Sequence, residues 1–198
     1  GWDEILEGEA PLDAVVMSWR GTEGGIKASG LGHDVIMTPN RNMYFDYCQG
    51  ENKESEPDGI GGCLPVWKVY EYEPFTPEMT DEQKSHILGV QANLWTEFIS
   101  TDSHLEYMLL PRLSALSEVQ WCLPGRKSFD RLMKDMSRMA SLYENLGYDY
   151  AKHVFGVIDQ HRSLEEGVEF TFHTAGEAGI RYTVDGSDFA FPLLIDQS

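Results

Sequence analysis

The stretch ILGVQANLWTE, residues 87–97, joins a short apolar run to an aromatic and an acidic side chain. The apolar run predicts a buried strand over residues 87–94. Trp95 and Glu97 lie two residues apart, the spacing at which side chains leave a strand on the same face. An aromatic ring beside a carboxylate suits a sugar, because the C–H face of a sugar packs on rings and its hydroxyls donate to carboxylates.

The same pairing of an aromatic and an acid occurs upstream. Tyr44 and Asp46 are separated by one residue and follow the apolar run 35–37, which predicts a second strand. Another strand is predicted at residues 14–19, and a short helix is expected at residues 24–29. Strands of near-continuous apolar residues that alternate with helices predict an α/β fold with a parallel sheet.

This predicted sheet has too few strands to close on itself. A parallel barrel needs eight strands and roughly 250 residues, whereas this chain has 198 residues. The sequence therefore predicts the closing portion of a TIM (β/α)8 barrel, about three βα units, over residues 1–150. Residues 151–198 are expected to form a linker and a small β-rich C-terminal module, because the apolar period changes to two from Val168 and a strand enters an Asp-Gly turn at 180–186.

Two amphipathic helices are predicted between the sheet and the tail. Ser103 begins a capping box that starts the first helix, and its apolar stripe continues past Pro111, so this proline is expected to bend the helix rather than end it. The second helix is expected from Ser128, with Gly147 as its C-terminal cap and a methionine-rich stripe that packs in the core. The segment 40–81 is predicted to be a long loop that carries binding residues.

Bulk properties narrow the range of partners. A net charge of −18 argues against nucleic acid and anionic membrane surfaces, because both bind clustered Lys and Arg. The chain has neither a transmembrane run nor a signal-peptide pattern at its start. No histidine shows metal-ligand spacing, so neither a metal nor a cofactor is predicted. Cys48, Cys63 and Cys122 are expected to be thiols, with a Cys48–Cys63 disulfide as the alternative.

Aromatic residues follow each predicted strand. The carboxyl ends of parallel barrel strands meet at one face, where active sites lie. Three indoles at that face would make an apolar box for a methyl-bearing group such as an acetamido, with a phenol and two acids as polar contacts. The residues expected there are Trp2, Trp19, Tyr44, Asp46, Trp95 and Glu97.

Five short motifs follow one another along the chain. They are G-W-D-E-I from Gly1, S-W-R-G from Ser18, Y-F-D from Tyr44, A-N-L-W-T-E from Ala92 and Y-M-L-L-P-R from Tyr107. Together they resemble the family 20 glycoside hydrolases, the β-N-acetylhexosaminidases, over residues 1–147. The tail, with the string I-R-Y-T-V-D-G-S, is similar to the small β module that follows the barrel in many bacterial members.

The resemblance implies a retaining hydrolase of terminal β-linked N-acetylglucosamine or N-acetylgalactosamine in glycans or chitooligosaccharides. In such enzymes the substrate's own acetamido oxygen attacks the anomeric carbon. Carried over by position, the three tryptophans would wall the acetamido slot, and Tyr44 would be the catalytic residue that donates to the acetamido oxygen. Asp46 and Glu97 would accept from the outer hydroxyls. Because bacterial members are often exported, a periplasmic or extracellular location is expected.

One part of the family pattern is absent. The family's general acid and its acetamido-orienting Asp lie in an H-x-G-G-D-E type motif, which does not occur in the 198 residues. Asp3 and Glu4 belong to a segment that follows this motif in the family, so they are interpreted as structural, as are Arg112 and Glu118. The chain is expected to be inactive alone. The alternatives are a non-catalytic carbohydrate-binding module and an assembly fragment that dimerises through open barrel edges.

Overall fold

The computed structural model describes residues 1–50, 56–155, 158–164 and 167–173. Within these ranges the strands are β1 (Val16–Ser18), β2 (Val35–Met37), β3 (Ile87–Val90), β4 (Ile158–Leu164) and β5 (Gly167–His173). The α-helices are α1 (Glu23–Gly30), α2 (Asn40–Met43), α3 (Val66–Tyr70), α4 (Asp81–Ser85), α5 (Asp102–Leu109), α6 (Arg112–Trp121) and α7 (Phe129–Leu146). Short 3-10 helices lie at Asp3–Glu7, Pro124–Arg126 and Lys152–Phe155.

Strands β1, β2 and β3 form a parallel sheet in that order. Val16 pairs with Val35, and Val35 pairs in turn with Ile87. At the outer edge of β1, Trp2 makes a parallel bridge to Met17. Helix α1 connects β1 to β2, as a parallel pair requires a crossover connection. The parallel sheet with its connecting helices confirms the predicted α/β class.

The core lies where the sheet meets α3, α6 and α7. The strands contribute fully buried Val16, Val35 and Met37. Helix α7 begins after Ser128, whose hydroxyl accepts from the Arg131 N–H, and it ends at Gly147 in the left-handed conformation, as predicted. The stripe of α7 is buried against this core, and its buried members are Leu132, Met133, Met136 and Tyr143. The interpretation of the methionines as core residues is therefore confirmed.

The expectation for Pro111 was wrong. Helix α5 ends at Leu109 and a separate helix, α6, begins at Arg112. Leu110 between them is extended, with φ −101° and ψ 134°, the conformation that a following proline favours. Because a proline nitrogen has no hydrogen and its ring collides with the preceding turn, the apolar stripe continues across two helices instead of one.

The first turn of α5 was also mispredicted. The cap is Thr101, whose hydroxyl accepts from the His104 N–H at 3.1 Å, so the capping box proposed at Ser103 was wrong by two residues. A capping box does form in this structure, but at α4, where Thr80 and Gln83 exchange hydrogen bonds. Threonine and serine both suit the cap position, so the sequence alone did not separate them.

Two further boundaries differ from the prediction. Strand β3 ends at Val90, four residues before the predicted end, so Trp95 and Glu97 lie in the loop that follows it. The segment 40–81 is not one loop, because it contains α2 and α3. Both helices are short, at four and five residues, and they leave little periodic signal in the sequence.

Strands β4 and β5 form an antiparallel hairpin in which Ile158 pairs with His173. Strand β5 confirms the strand predicted from Val168. Strand β4 occupies part of the stretch that was expected to act as a linker. The predicted strand and Asp-Gly turn at 180–186 lie outside the described residues. None of the helices in the described ranges is long and apolar enough to cross a membrane.

Candidate functional site

The candidate site lies beyond the carboxyl ends of the parallel strands. Trp19 directly follows β1, whereas Tyr44 and Asn93 come from the segments after β2 and β3 and form a parallel bridge. In this bridge the Phe45 N–H donates to the Asn93 carbonyl at 2.7 Å. The bridge carries strand pairing past the regular strand ends, so it fixes the loop of Tyr44 against the loop of Trp95.

Aromatic rings from four segments meet above these ends. The ring centroids of Trp2 and Trp95 are 5.9 Å apart, and those of Trp95 and Tyr44 are 6.4 Å apart. Trp19 stacks on Tyr44 with a centroid distance of 6.2 Å and an interplanar angle of 20°. These distances are those of attractive aromatic pairs. The structure therefore brings the three predicted indoles and the predicted phenol into one cluster.

A hollow of about 570 Å³ opens beside the cluster, which is within the range of small-molecule sites. Predicted site residues that line it are Trp19, Tyr44, Asp46, Trp95 and Glu97. Trp2 is not among the lining residues, although it contacts the Trp95 ring. The aromatic and acid of each predicted pair do face one hollow, but from loops rather than from a continuous strand.

The hollow is also lined by Tyr47, Ile60, Gly61 and Gly62, which the sequence did not indicate. Gly62 has a φ of +82°, and a β-carbon there would lie 2.9 Å from the Tyr47 ring. Glycine thus lets the backbone lie directly against the ring. The available signal was the glycine pair at positions 61 and 62 within segment 40–81, which was expected to carry binding residues.

Asp46 is the most unusual polar group of the hollow. Its residue is 3% exposed, and neither carboxylate oxygen accepts a hydrogen bond from any residue that the structure describes. Burial raises the pKa of Asp46; the positive charge of Arg112 opposes the rise, and the negative charge of Glu97 adds to it. The backbone N–H groups of Asp46 and Trp95 oppose the shift without reaching hydrogen-bond geometry. A buried acceptor without donors is costly, so a ligand hydroxyl would stabilise it.

Tyr44 keeps its proton at neutral pH. Burial raises the pKa of its phenol above the ordinary value. The hydroxyl can therefore donate a hydrogen bond to an acceptor in the hollow. Glu97 is exposed and lies at the same hollow. The site thus offers the Tyr44 hydroxyl as a donor and the carboxylates of Asp46 and Glu97 as acceptors beside an aromatic wall.

Asp3 and Glu4 both accept hydrogen bonds from Trp19. The buried Asp3 carboxylate accepts from the Trp19 backbone N–H at 3.0 Å and from the Arg20 Nε at 2.6 Å. The Glu4 carboxylate accepts from the Trp19 indole Nε1 at 2.9 and 3.1 Å. Neither acid lines the hollow, so their geometry is that of positioning residues, as the sequence indicated.

Arg112 lies beneath the loop that carries Asp46 and is fully buried. Its guanidinium donates to four backbone carbonyls, those of Phe45, Tyr47, Leu64 and Met108. Burial lowers the pKa of Arg112 to about 9, so the group stays charged at neutral pH. It also lies 4.8 Å from the Phe45 ring centroid. The carbonyls on both sides of Asp46 are therefore fixed by one side chain.

No group of three or more His, Cys, Asp and Glu side chains in the described ranges could hold a metal ion.

A parallel α/β sheet with an aromatic and acidic hollow at its strand ends is typical of enzymes that act on small polar ligands. Residues 1–123 match the sequence profile of "Glycosyl hydrolase family 20, catalytic domain". The chain belongs to glycosyl hydrolase family 20.

Known relatives agree with this assignment. The chain is 36% identical over 194 residues to a beta-hexosaminidase of Porphyromonas gingivalis, a match that covers 95% of this chain and 25% of the relative. It is 33% identical over 120 residues to a beta-hexosaminidase of Vibrio furnissii, covering 59% of this chain and 20% of that protein. The chain thus spans about a quarter or less of these relatives' length.

Solved structures are similar to this chain in fold. The chain is similar to the GH20 exo beta-N-acetylglucosaminidase of Vibrio harveyi in complex with N-acetylglucosamine, with a TM-score of 0.69 and 29% identity. The match covers 77% of this chain and 24% of that one. A GH20 beta-N-acetylhexosaminidase of Streptomyces coelicolor has a TM-score of 0.67 at 24% identity, covering 77% of this chain and 32% of that one. These neighbours imply a TIM-barrel-type α/β fold.

Proposed function

We propose that this chain is the C-terminal part of a retaining β-N-acetylhexosaminidase that removes terminal N-acetylglucosamine or N-acetylgalactosamine from glycans or chitooligosaccharides. The observation that carries the proposal is the single hollow lined by Trp19, Tyr44, Asp46, Trp95 and Glu97 in a chain of family 20. The names of its relatives, and a neighbour's complex with N-acetylglucosamine, support the substrate class.

Each predicted site residue has a proposed role. Trp19 and Trp95 form the apolar wall for the acetamido methyl group, and Trp2 supports Trp95 through ring contact. The Tyr44 hydroxyl donates to the acetamido oxygen and orients it toward the anomeric carbon. This donor also stabilises the charge that spreads over the acetamido group as its oxygen attacks. The catalysis is substrate-assisted, so no carboxylate of this chain acts as the nucleophile.

Asp46 and Glu97 bind the sugar hydroxyls. The Asp46 carboxylate lacks donors among the described residues, and each hydroxyl that donates to it replaces a missing hydrogen bond. The energetic benefit is realised only when a hydroxylated ligand is present. This makes the hollow selective for a polar ring over an apolar one of the same size.

We propose further that the 198 residues do not cleave substrate by themselves. The sequence has no H-x-G-G-D-E type string. Asp3 and Glu4 already bind Trp19 and Arg20, so neither acid is placed to protonate a leaving group in the hollow. The general acid would come from another part of a longer polypeptide, whose strands would extend the open edges of this sheet into the rest of the barrel.

The cellular location and the C-terminal organisation of the enzyme are proposed from its membership of family 20. The complete protein would act in the periplasm or outside the cell, with residues 151–198 as linker and small β module.

Leu88 on the outer strand β3 and Trp121 nearby are exposed, at 58% and 89%. When the remaining strands are absent, such an edge favours pairing of two copies, so a dimer of the isolated chain is proposed.

The test uses the longer polypeptide that contains this chain and a chromogenic β-N-acetylglucosaminide. Tyr44→Phe removes the donor hydroxyl and is expected to lower kcat by about 10²–10³-fold. Glu97→Gln is expected to raise KM. The matched control is Tyr148→Phe, because Tyr148 is 45% exposed and lies outside the hollow. Normal activity in both Tyr44→Phe and Glu97→Gln would remove the proposed site.

A further inference from the structure

Two cysteines face each other at the rim of the hollow. Cys48 and Cys63 are partners in a parallel bridge, in which the Leu64 N–H donates to the Cys48 carbonyl at 2.8 Å. Facing residues on neighbouring strands have α-carbons about 4.8 Å apart, within the separation that a disulfide spans. Both thiols approach the Gly50 carbonyl oxygen, Cys48 Sγ at 3.5 Å and Cys63 Sγ at 3.3 Å. No disulfide joins them in this structure.

These cysteines are neighbours of residues that line the hollow. Cys48 follows Tyr47 and Cys63 follows Gly62, and both neighbours line it. The Gly62 backbone lies against the Tyr47 ring. Cys48 is buried and Cys63 is half-buried, so a small oxidant reaches Cys63 first. A covalent link between the two sulfurs would tie the glycine side of the hollow to the tyrosine side.

We propose that Cys48 and Cys63 form a reversible disulfide that fixes this rim. In the reaction the Cys63 thiolate attacks a low-molecular-weight disulfide, and one thiol leaves. The Cys48 thiolate then attacks the mixed disulfide at the Cys63 sulfur and releases the second thiol. Two protein thiols are oxidised and one external disulfide is reduced to two thiols, which take up the two protons that the cysteines lose.

The disulfide would act on the part of the hollow that Tyr47, Gly61 and Gly62 line. Cys48 and Cys63 close a loop of about 15 residues, and such a link raises Tm by about 5–10 °C in a chain of this size. The glycines at positions 61 and 62 would lose freedom to move away from Tyr47. The proposed periplasmic or extracellular location is an oxidising compartment, in which such a bond persists.

The experiment uses the full chain, first reduced, then freed of reductant and exposed to oxidised glutathione. Remaining thiols are blocked and the protein is digested with trypsin. Cleavage after Arg41, Lys53 and Lys68 puts the two cysteines on separate peptides, 42–53 and 54–68. We expect these peptides to appear as one cross-linked species that dithiothreitol separates, with a higher Tm before reduction than after it.

Matched variants identify the pair. Cys122→Ser should keep both the cross-link and the Tm difference, since Cys122 lies at the end of α6, away from the rim. Cys48→Ser and Cys63→Ser should each abolish both. Glutathione attached to Cys63 without a cross-link would overturn the proposal. So would a cross-link that includes Cys122, or a Tm in the wild type that oxidation leaves unchanged.

Discussion

Replacement of Arg112 by methionine should destabilise the chain more than any surface change. Methionine keeps much of the buried volume but removes every donor. The carbonyl oxygens that lose this donor belong to Phe45, Tyr47, Leu64 and Met108. Two of them flank Asp46, so the variant also loosens the loop that carries this carboxylate.

The magnitude follows from the number of acceptors. A buried acceptor that loses its donor costs about 1–3 kcal/mol. The lower value applies here, because removing the guanidinium also relieves its own desolvation. Four carbonyls at about 1 kcal/mol each give about 4 kcal/mol, a large share of the roughly 5–15 kcal/mol that stabilises a domain. Arg112→Lys should recover about half of this loss, because an ammonium donates but lacks the planar fork.

The assay is urea unfolding of the full chain followed by circular dichroism. With a slope of about 2 kcal/mol per molar urea, Arg112→Met should lower the midpoint by about 2 M. Arg138→Met is the matched control, since Arg138 is exposed and its ion pair with Asp135 is long, at 3.4 Å. Such surface pairs contribute little. If both variants unfolded at the same urea concentration as the wild type, Arg112 would not organise this loop.

Two further substitutions test the groups around the hollow. Glu4→Ala removes the acceptor of the Trp19 indole N–H and should raise the KM of the longer enzyme about fivefold, the value of one exposed hydrogen bond. Glu4→Gln keeps an acceptor oxygen, so its KM should stay near that of the wild type. Equal defects in the two variants would argue against a role of Glu4 in orienting Trp19. Asp46→Asn should raise Tm at neutral pH while weakening sugar binding, because the wild-type carboxylate is buried without donors. The pKa of Asp46 is raised from 3.8 in the folded state, so the unfolded chain loses this proton first and wild-type stability falls as pH rises through the interval between the two pKa values. The Tm advantage of Asp46→Asn should accordingly shrink toward pH 3.8, and an advantage that does not change with pH would contradict the assignment.

Local sequence patterns predicted the elements that are marked by cap residues or by apolar runs within a few residues of one another. Ser128 and Gly147 marked both ends of α7, and the apolar runs located β1, β2 and β3 to within a few residues. The failures were local too. Pro111 separates two helices because its ring prevents continuation of the first helix, whereas the shared stripe had suggested one.

The candidate site was predictable where adjacent residues carried it. The pairs Tyr44 with Asp46 and Trp95 with Glu97 were visible as aromatic and acid two residues apart, and all four residues line one hollow. The contacts of Arg112 were not visible, because its acceptors lie up to 67 residues away in the sequence. The approach of Gly62 to the Tyr47 ring was hidden for the same reason.

The role proposed for the hollow is to bind an amino sugar through its acetamido methyl group. Saturation-transfer difference NMR of N-acetylglucosamine with the longer enzyme measures this contact directly. The strongest saturation should fall on the methyl protons, since Trp19 and Trp95 line the hollow, and Trp95→Ala should weaken it selectively. Methyl protons saturated no more than the ring protons, or unaffected by Trp95→Ala, would contradict the account.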